Sequence, residues 1–120
     1  MKVIVTSQGR EPKSPVDPRF GRAKYFLVVD TETGDLSTAD NRENLNAAQG
    51  AGIQAGKNVV DLGVEALITG HVGPKAFATL QAGGVAVYTG ATGTVADAVE
   101  QFKTGKLRQS SAADMEGHWV

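Results

Sequence analysis

Ala66-Leu67-Ile68-Thr69-Gly70-His71-Val72-Gly73-Pro74-Lys75 is the stretch that decides the reading of this chain. Three consecutive apolar residues without polar alternation are what a short strand covered on both faces requires. Glycines follow at once, and the fixed φ of Pro74 suits the first turn of a helix that runs to Gln81. The pattern recurs downstream. Val85-Ala86-Val87-Tyr88 is a second buried strand, and Thr89-Gly90-Ala91-Thr92-Gly93-Thr94 is a second glycine loop. Val95, Ala98, Val99 and Phe102 then share one face of another helix. Thr94 and Asp97 have capping-box spacing with Asp in place of Glu, and Gly83-Gly84 and Gly105 stop the two helices.

Upstream, Ile53, Gly56, Val59 and Val60 form one helical stripe, with Gly63 placed as the left-handed residue beyond its end. The period change to this helix falls after Asn41 to Asn46. Earlier still the chain alternates strands and turns. Val3 to Thr6 is apolar and β-rich, Tyr25 to Asp30 is a strong strand, and Thr31 to Asp35 is a hairpin connection. Leu36 to Asp40 is a more polar strand suited to a sheet edge. Between the first two strands, Arg10 to Arg22 carries Pro12, Pro15 and Pro18 and reads as an ordered surface loop. The order is β-β-β-α-β-α-β-α. It predicts an α/β fold of the RNase H-like kind, a five-stranded mixed sheet with flanking helices. Three sequential strands are antiparallel and the later ones parallel through right-handed crossovers. Residues 1–107 form one domain, and the polar, aperiodic residues 108–120 read as a loose tail.

A chain of 120 residues has room for one core. Twelve Lys and Arg against thirteen Asp and Glu leave a formal charge of −1. There is thus no global basic field for nucleic acid or anionic lipid, and anion recognition must be local. The absence of cysteine removes disulfides, thiolate metal sites and cysteine nucleophiles together. No run approaches the roughly 20 apolar residues of a membrane span, and the N-terminus lacks a signal-like apolar region. A cytoplasmic location is the expectation.

In a sheet of this kind ligands collect beyond the carboxyl ends of the parallel strands. Three segments converge there: Ser7, Gly9 and Arg10 after the first strand, Gly70, His71, Val72 and Gly73 in the second, and Thr89, Gly90, Ala91, Thr92, Gly93 and Thr94 in the third. Glycine loops expose backbone N–H groups, and helix N-termini add unsatisfied donors and partial positive charge. Both later loops therefore read as anion sites, against the plainer alternative that these glycines only make tight turns. Neither has the spacing of a nucleotide fingerprint. His71 is either a ligand residue or a solvated loop side chain. Arg19 and Arg22 either fold over the crevice as a lid or stand in water on a loop pinned by Phe20. A nuclease on this topology would need metal-binding carboxylates around the first strand, and Val3-Ile4-Val5-Thr6 has none. A binding role, not catalysis, is the expectation.

Four motifs occur in order: Val16-Asp17-Pro18-Arg19-Phe20-Gly21-Arg22-Ala23, Gly50-Ala51-Gly52-Ile53-Gln54-Ala55, Gly70-His71-Val72-Gly73-Pro74-Lys75-Ala76-Phe77 and Thr89-Gly90-Ala91-Thr92-Gly93-Thr94-Val95. Together they resemble the dinitrogenase iron–molybdenum cofactor biosynthesis family, the small NifX/NafY-like carrier domains. The resemblance covers residues 1 to about 107 and implies the same RNase H-like fold and no enzymatic turnover. For a cysteine-free, free-standing member it implies non-covalent binding of an anionic molybdenum–copper sulfide cluster, the iron–molybdenum cofactor or a precursor being the alternative cargo. Histidines implicated in cofactor binding in such carriers match His71, which makes it the one expected metal-contacting residue. Met115 and His118 in the tail are further soft groups, against the simpler role of a solubilising tail. The rival reading is a scaffold or regulatory module that docks a protein partner such as an ATPase through the third strand or the tail.

Overall fold

The computed structural model describes residues 1–41 and 51–110. The stretch Asn41 to Asn46, where the period changes, lies almost wholly outside the described residues, as do Met115 and His118. Among the described residues there are six strands and three α-helices: β1 (Lys2–Ser7), β2 (Tyr25–Asp30), β3 (Leu36–Asp40), α1 (Ala51–Asp61), β4 (Ala66–Ile68), α2 (Pro74–Ala82), β5 (Ala86–Thr89), α3 (Val95–Lys103) and β6 (Arg108–Gln109). A short 3₁₀ turn, Phe20–Arg22, sits in the first loop.

The strands form one mixed sheet in the order β3-β2-β1-β4-β5-β6. β1, β2 and β3 pair antiparallel, and β1, β4 and β5 pair parallel. Sequence reasoning expects five strands, and the sixth corrects it. Arg108 and Gln109 pair antiparallel with Thr89 and Tyr88, and the Ser110 N–H donates to Val87 O at 2.8 Å. Those residues fall in the expected tail because they are polar and carry no apolar pattern. Their strand conformation comes from the otherwise open edge of β5, whose backbone groups they satisfy.

β1 shows why the sheet is central. Val3, Ile4 and Val5 are all fully buried, with alternate side chains entering opposite layers. Ile4, Phe26, Leu67 and Val87 pack with Val59, Phe77 and Leu80 of α1 and α2 on one face. Val3, Val5, Leu27 and Ile68 pack with Val95 and Ala98 of α3 on the other. Helix ends follow the expected local chemistry. Gly63, Gly84 and Gly105 take positive φ beyond the three helices. Thr94 and Asp97 form a reciprocal capping box with both bonds at 3.1 Å. The parallel strands deliver their following loops to the same end of the sheet, and the first loop folds across that end.

Candidate functional site

The first loop is an ordered strap. The Asp17 N–H donates to Thr6 O at 2.9 Å, while the Thr6 hydroxyl lies 2.7 Å from Asp17 O and 2.8 Å from Thr69 Oγ1. Thr6 and Thr69 are fully buried, so this network replaces the water these groups give up. Asp17 is also buried, and its Oδ1 accepts the Arg19 N–H at 3.0 Å. Beyond it, the His71 N–H donates to Pro18 O at 2.7 Å and the Phe20 N–H to His71 O at 3.3 Å. Arg19 and His71 are therefore neighbours across a short parallel bridge. Gly70 permits that approach: a Cβ there would stand 2.6 Å from Pro18 O. Phe20 anchors the strap in the core, its ring 5.6 Å from that of Phe26 and nearly parallel to it.

The strap, α1 and α2 enclose a cavity of about 480 Å³ lined by Arg19, Phe20, Gly21, Arg22, Gly52, His71, Gly73, Pro74, Lys75 and Ala76. Arg19, Arg22, His71 and Lys75 are exposed and bring basic side chains to an otherwise carbon-rich lining. Both readings of the arginine loop meet here: Phe20 pins it, and the guanidinium-bearing side chains line the cavity. The α2 N-terminus opens on the same space. Its N-cap, Gly73, offers no side-chain acceptor, and Pro74 has no N–H to satisfy. Among the described residues nothing accepts the N–H of Lys75 or Ala76. Free donors, the helix partial charge and basic side chains thus face one volume. No three His, Cys, Asp or Glu side chains converge among the described residues. The cavity offers donors and cations, not a chelating set.

The remaining sequence-chosen residues do not line this cavity. Ser7 is buried and exchanges hydrogen bonds with Gly9, its Oγ donating to Gly9 O at 2.7 Å and accepting from Gly9 N at 3.1 Å. Gly9 is fitted against Ser14. The Arg10 guanidinium lies over the Tyr25 ring, 5.1 Å from its centre. Val72 is a core residue beneath the second loop, and buried Gly70 meets the strap. In the third loop most backbone donors are engaged within the protein. The strap supplies Ser14 O to the Val95 N–H and Pro12 O to the Ala96 N–H, each at 2.9 Å, and Thr94 caps Asp97. With its first-turn donors used, α3 offers no open anion site. Gly93 O accepts from Val16 N, the Gly90 N–H donates to Gly70 O, and Ala91 is buried. Thr92 O accepts from Gln101, and Thr89 Oγ1 pairs with Ser110 Oγ at 2.9 Å. Gly90 and Gly93 both have φ near +83°, a turn requirement. Gly73, by contrast, has φ −75°.

Sequence reasoning missed Gly52 and Ala76, which build the helix side of the cavity. Gly52 and Gly56 lie four apart on α1, where a Cβ would sit 3.3 Å from Ala76 Cβ and 3.1 Å from Thr79 Cγ2 respectively. That small-residue spacing was the available signal, since it marks close helix approach.

The family model described as dinitrogenase iron-molybdenum cofactor matches residues 1–105. The chain belongs to this family. The apo form of the orange protein from Desulfovibrio gigas superposes with a TM-score of 0.92 at 38% identity, over 95% of this chain and 96% of its own. A Thermotoga protein named for NifB gives a TM-score of 0.83 at 39% identity, over 97% and 98%. An uncharacterised protein of Methanocaldococcus jannaschii is 30% identical over 96 residues, which are 78% of this chain and 81% of that relative. The family agrees with the motifs that first suggested it, as does an α/β fold with a mixed sheet.

Proposed function

We propose that this chain is a non-covalent carrier of an anionic metal-sulfide cluster, held in the cavity between the strap and α2. The observation that carries the reading is the cavity itself: Arg19, Arg22, His71 and Lys75 around a carbon-rich wall, with the open N-terminus of α2 facing in. A sulfide cluster already has its metal valences filled. It needs positive charge, N–H donors and apolar contact more than new ligands, and His71 is the one side chain here suited to touch a metal. The resemblance to the orange protein favours molybdenum–copper sulfide as cargo; the iron–molybdenum cofactor or its precursor is the alternative. The strand order around β1 supports an RNase H-like assignment, and a cytoplasmic location and the absence of turnover belong to the same reading.

Magnitudes suit delivery. One helix N-terminus contributes up to about 2 kcal/mol, and each charge-assisted hydrogen bond about 1.5–3 kcal/mol. Association itself costs at least about 4 kcal/mol. Three such bonds leave affinity on the weak side of micromolar, until apolar contact with Phe20 and Pro74 adds to it. The test adds tetrathiomolybdate and Cu(I) to metal-free protein, removes excess by desalting, and reads visible absorption and metal content. Retained colour at fixed stoichiometry, lost in Arg19→Ala and Lys75→Ala, is the expected result. Colour that elutes entirely with the salt refutes molybdenum–copper sulfide as the cargo, and the same outcome with no metal in natively purified protein refutes the carrier reading and leaves the docking module. Iron in place of copper in natively purified protein selects the alternative cargo.

A further inference from the structure

Arg19 and Arg22 line a second cavity as well. A volume of about 400 Å³ is bounded by Gln8, Asp17, Pro18, Arg19, Arg22 and Lys24. His71 and Lys75 line only the first cavity, and Gln8 and Lys24 only the second. We infer that this second cavity docks a carboxylate-bearing segment of a partner protein, and that the docked segment and the cargo compete for the same two arginines. The competition rests on the carrier reading; the docking does not.

Charge complementarity is the first support. Three cations surround the cavity in a chain whose formal charge is −1, so this is a local concentration. Among the described residues the one acid in its lining is Asp17, which is buried and engages the Arg19 backbone N–H through Oδ1. Among the described residues neither Arg19 nor Lys24 is in an ion pair. The second support is rigidity. Thr6 clamps the strap at Asp17, Phe20 is buried beneath it, and Asn41 closes its far end. There Asn41 Nδ2 donates to Ala23 O at 2.7 Å and the Asn41 N–H to Lys24 O at 2.8 Å. Cations on a backbone already fixed lose less freedom on binding. The third is donor type. Among the described residues no α-helix N-terminus lines this cavity, so the backbone nest that favours phosphate is not part of that lining. It offers guanidinium forks, an ammonium and an amide, groups that pair with carboxylates side by side.

Sharing has a thermodynamic consequence. If docking weakens cargo binding by some factor, cargo must weaken docking by the same factor. A partner that presents acidic residues would then draw Arg19 and Arg22 away and loosen the cargo as it arrives.

The experiment uses fluorescein-labelled hexaglutamate and cluster-free protein, read by anisotropy. Saturable binding is expected, weakened about tenfold or more by Lys24→Ala and less than threefold by Lys75→Ala. The cluster should show the opposite order. Equal losses in both variants indicate diffuse attraction and overturn the site, as does full displacement of the peptide by millimolar inorganic phosphate. With cluster loaded, peptide affinity should fall, and the peptide should lower cluster affinity by the same factor. Independent binding overturns the shared-arginine inference. Peptide binding by a protein that retains no cluster refutes the carrier reading and its competition, and leaves the docking site standing.

Discussion

Replacing Gly70 by alanine tests the most consequential contact of the site. The new methyl would lie 2.6 Å from Pro18 O and 2.7 Å from Pro18 Cα, both backbone atoms. No rotamer change relieves that, so strap and second loop must separate. Separation strains or breaks the bonds from His71 N to Pro18 O (2.7 Å) and from Phe20 N to His71 O (3.3 Å). Two hydrogen bonds at about 0.5–1.5 kcal/mol each, with about 1–3 kcal/mol for overpacking, place the loss at roughly 2–6 kcal/mol. Gly73→Ala is the matched control. Its φ is −75° and nothing lies within 4 Å of the added Cβ. A weaker N-cap is offset there by a stiffer unfolded chain, which holds the change within about 1 kcal/mol. Urea unfolding followed by far-ultraviolet circular dichroism measures both. The folded Gly70→Ala protein should also retain less cluster, because Arg19 no longer sits beside His71. A Gly70→Ala protein within about 1 kcal/mol of the parent refutes this account of the strap, and so does a Gly73→Ala protein that loses as much as Gly70→Ala.

Four further outcomes can be checked. Thr94→Ala removes the side-chain half of the α3 capping box and should lower stability by about 0.5–2 kcal/mol in the same urea assay; an unchanged midpoint would show that the strap alone caps the helix. Lys75→Ala, an exposed change, should keep stability within about 0.5 kcal/mol while weakening cluster retention. For the unaltered protein, retention should decline only gently as salt rises, because N–H donors act at a range that screening over roughly 8–10 Å hardly touches; a steep decline assigns the binding to exposed charge alone. The N–H groups of Glu32 and Thr33 hold the Asp30 carboxyl below its ordinary pKa. A carboxyl so depressed stabilises the fold fully above its unfolded pKa and ceases to do so as pH falls through the folded one. Asp30→Asn should therefore lose less stability than the parent on acidification below about pH 4, and identical acid profiles would dismiss the turn as a contributor.

What the sequence disclosed was whatever local pattern controls. The apolar runs of β1, β4 and β5 announce themselves, and Gly63, Gly105 and the Thr94–Asp97 pair mark helix ends through chemistry that spans only a few residues. Arg108 and Gln109 carry no such signal, since their conformation is borrowed from the edge of β5. The same division explains the site. Thr69 to Lys75 was legible as a glycine loop leading into a helix. That Pro12 and Ser14 use up the donors of α3 was not, because eighty or so residues separate them from Val95 and Ala96. Arg10 was placed in the crevice on position alone, and its partner Tyr25 lies on another strand. The cavity follows from which loop folds over which, and the strap makes that choice through Thr6, Asp17 and Gly70.

Gly56 touches no wall of the cavity, yet it works as a gauge block. Fitted against Thr79 one turn along from Gly52, it fixes how near α1 stands to α2, and one edge of the cavity opening is the space between them. A bulkier residue there would prise the helices apart and widen the aperture while leaving every cargo-facing group chemically unchanged. On the carrier reading, variants of this chain that differ at this position alone would sort cargo by diameter, a selectivity set by a residue the cargo never meets.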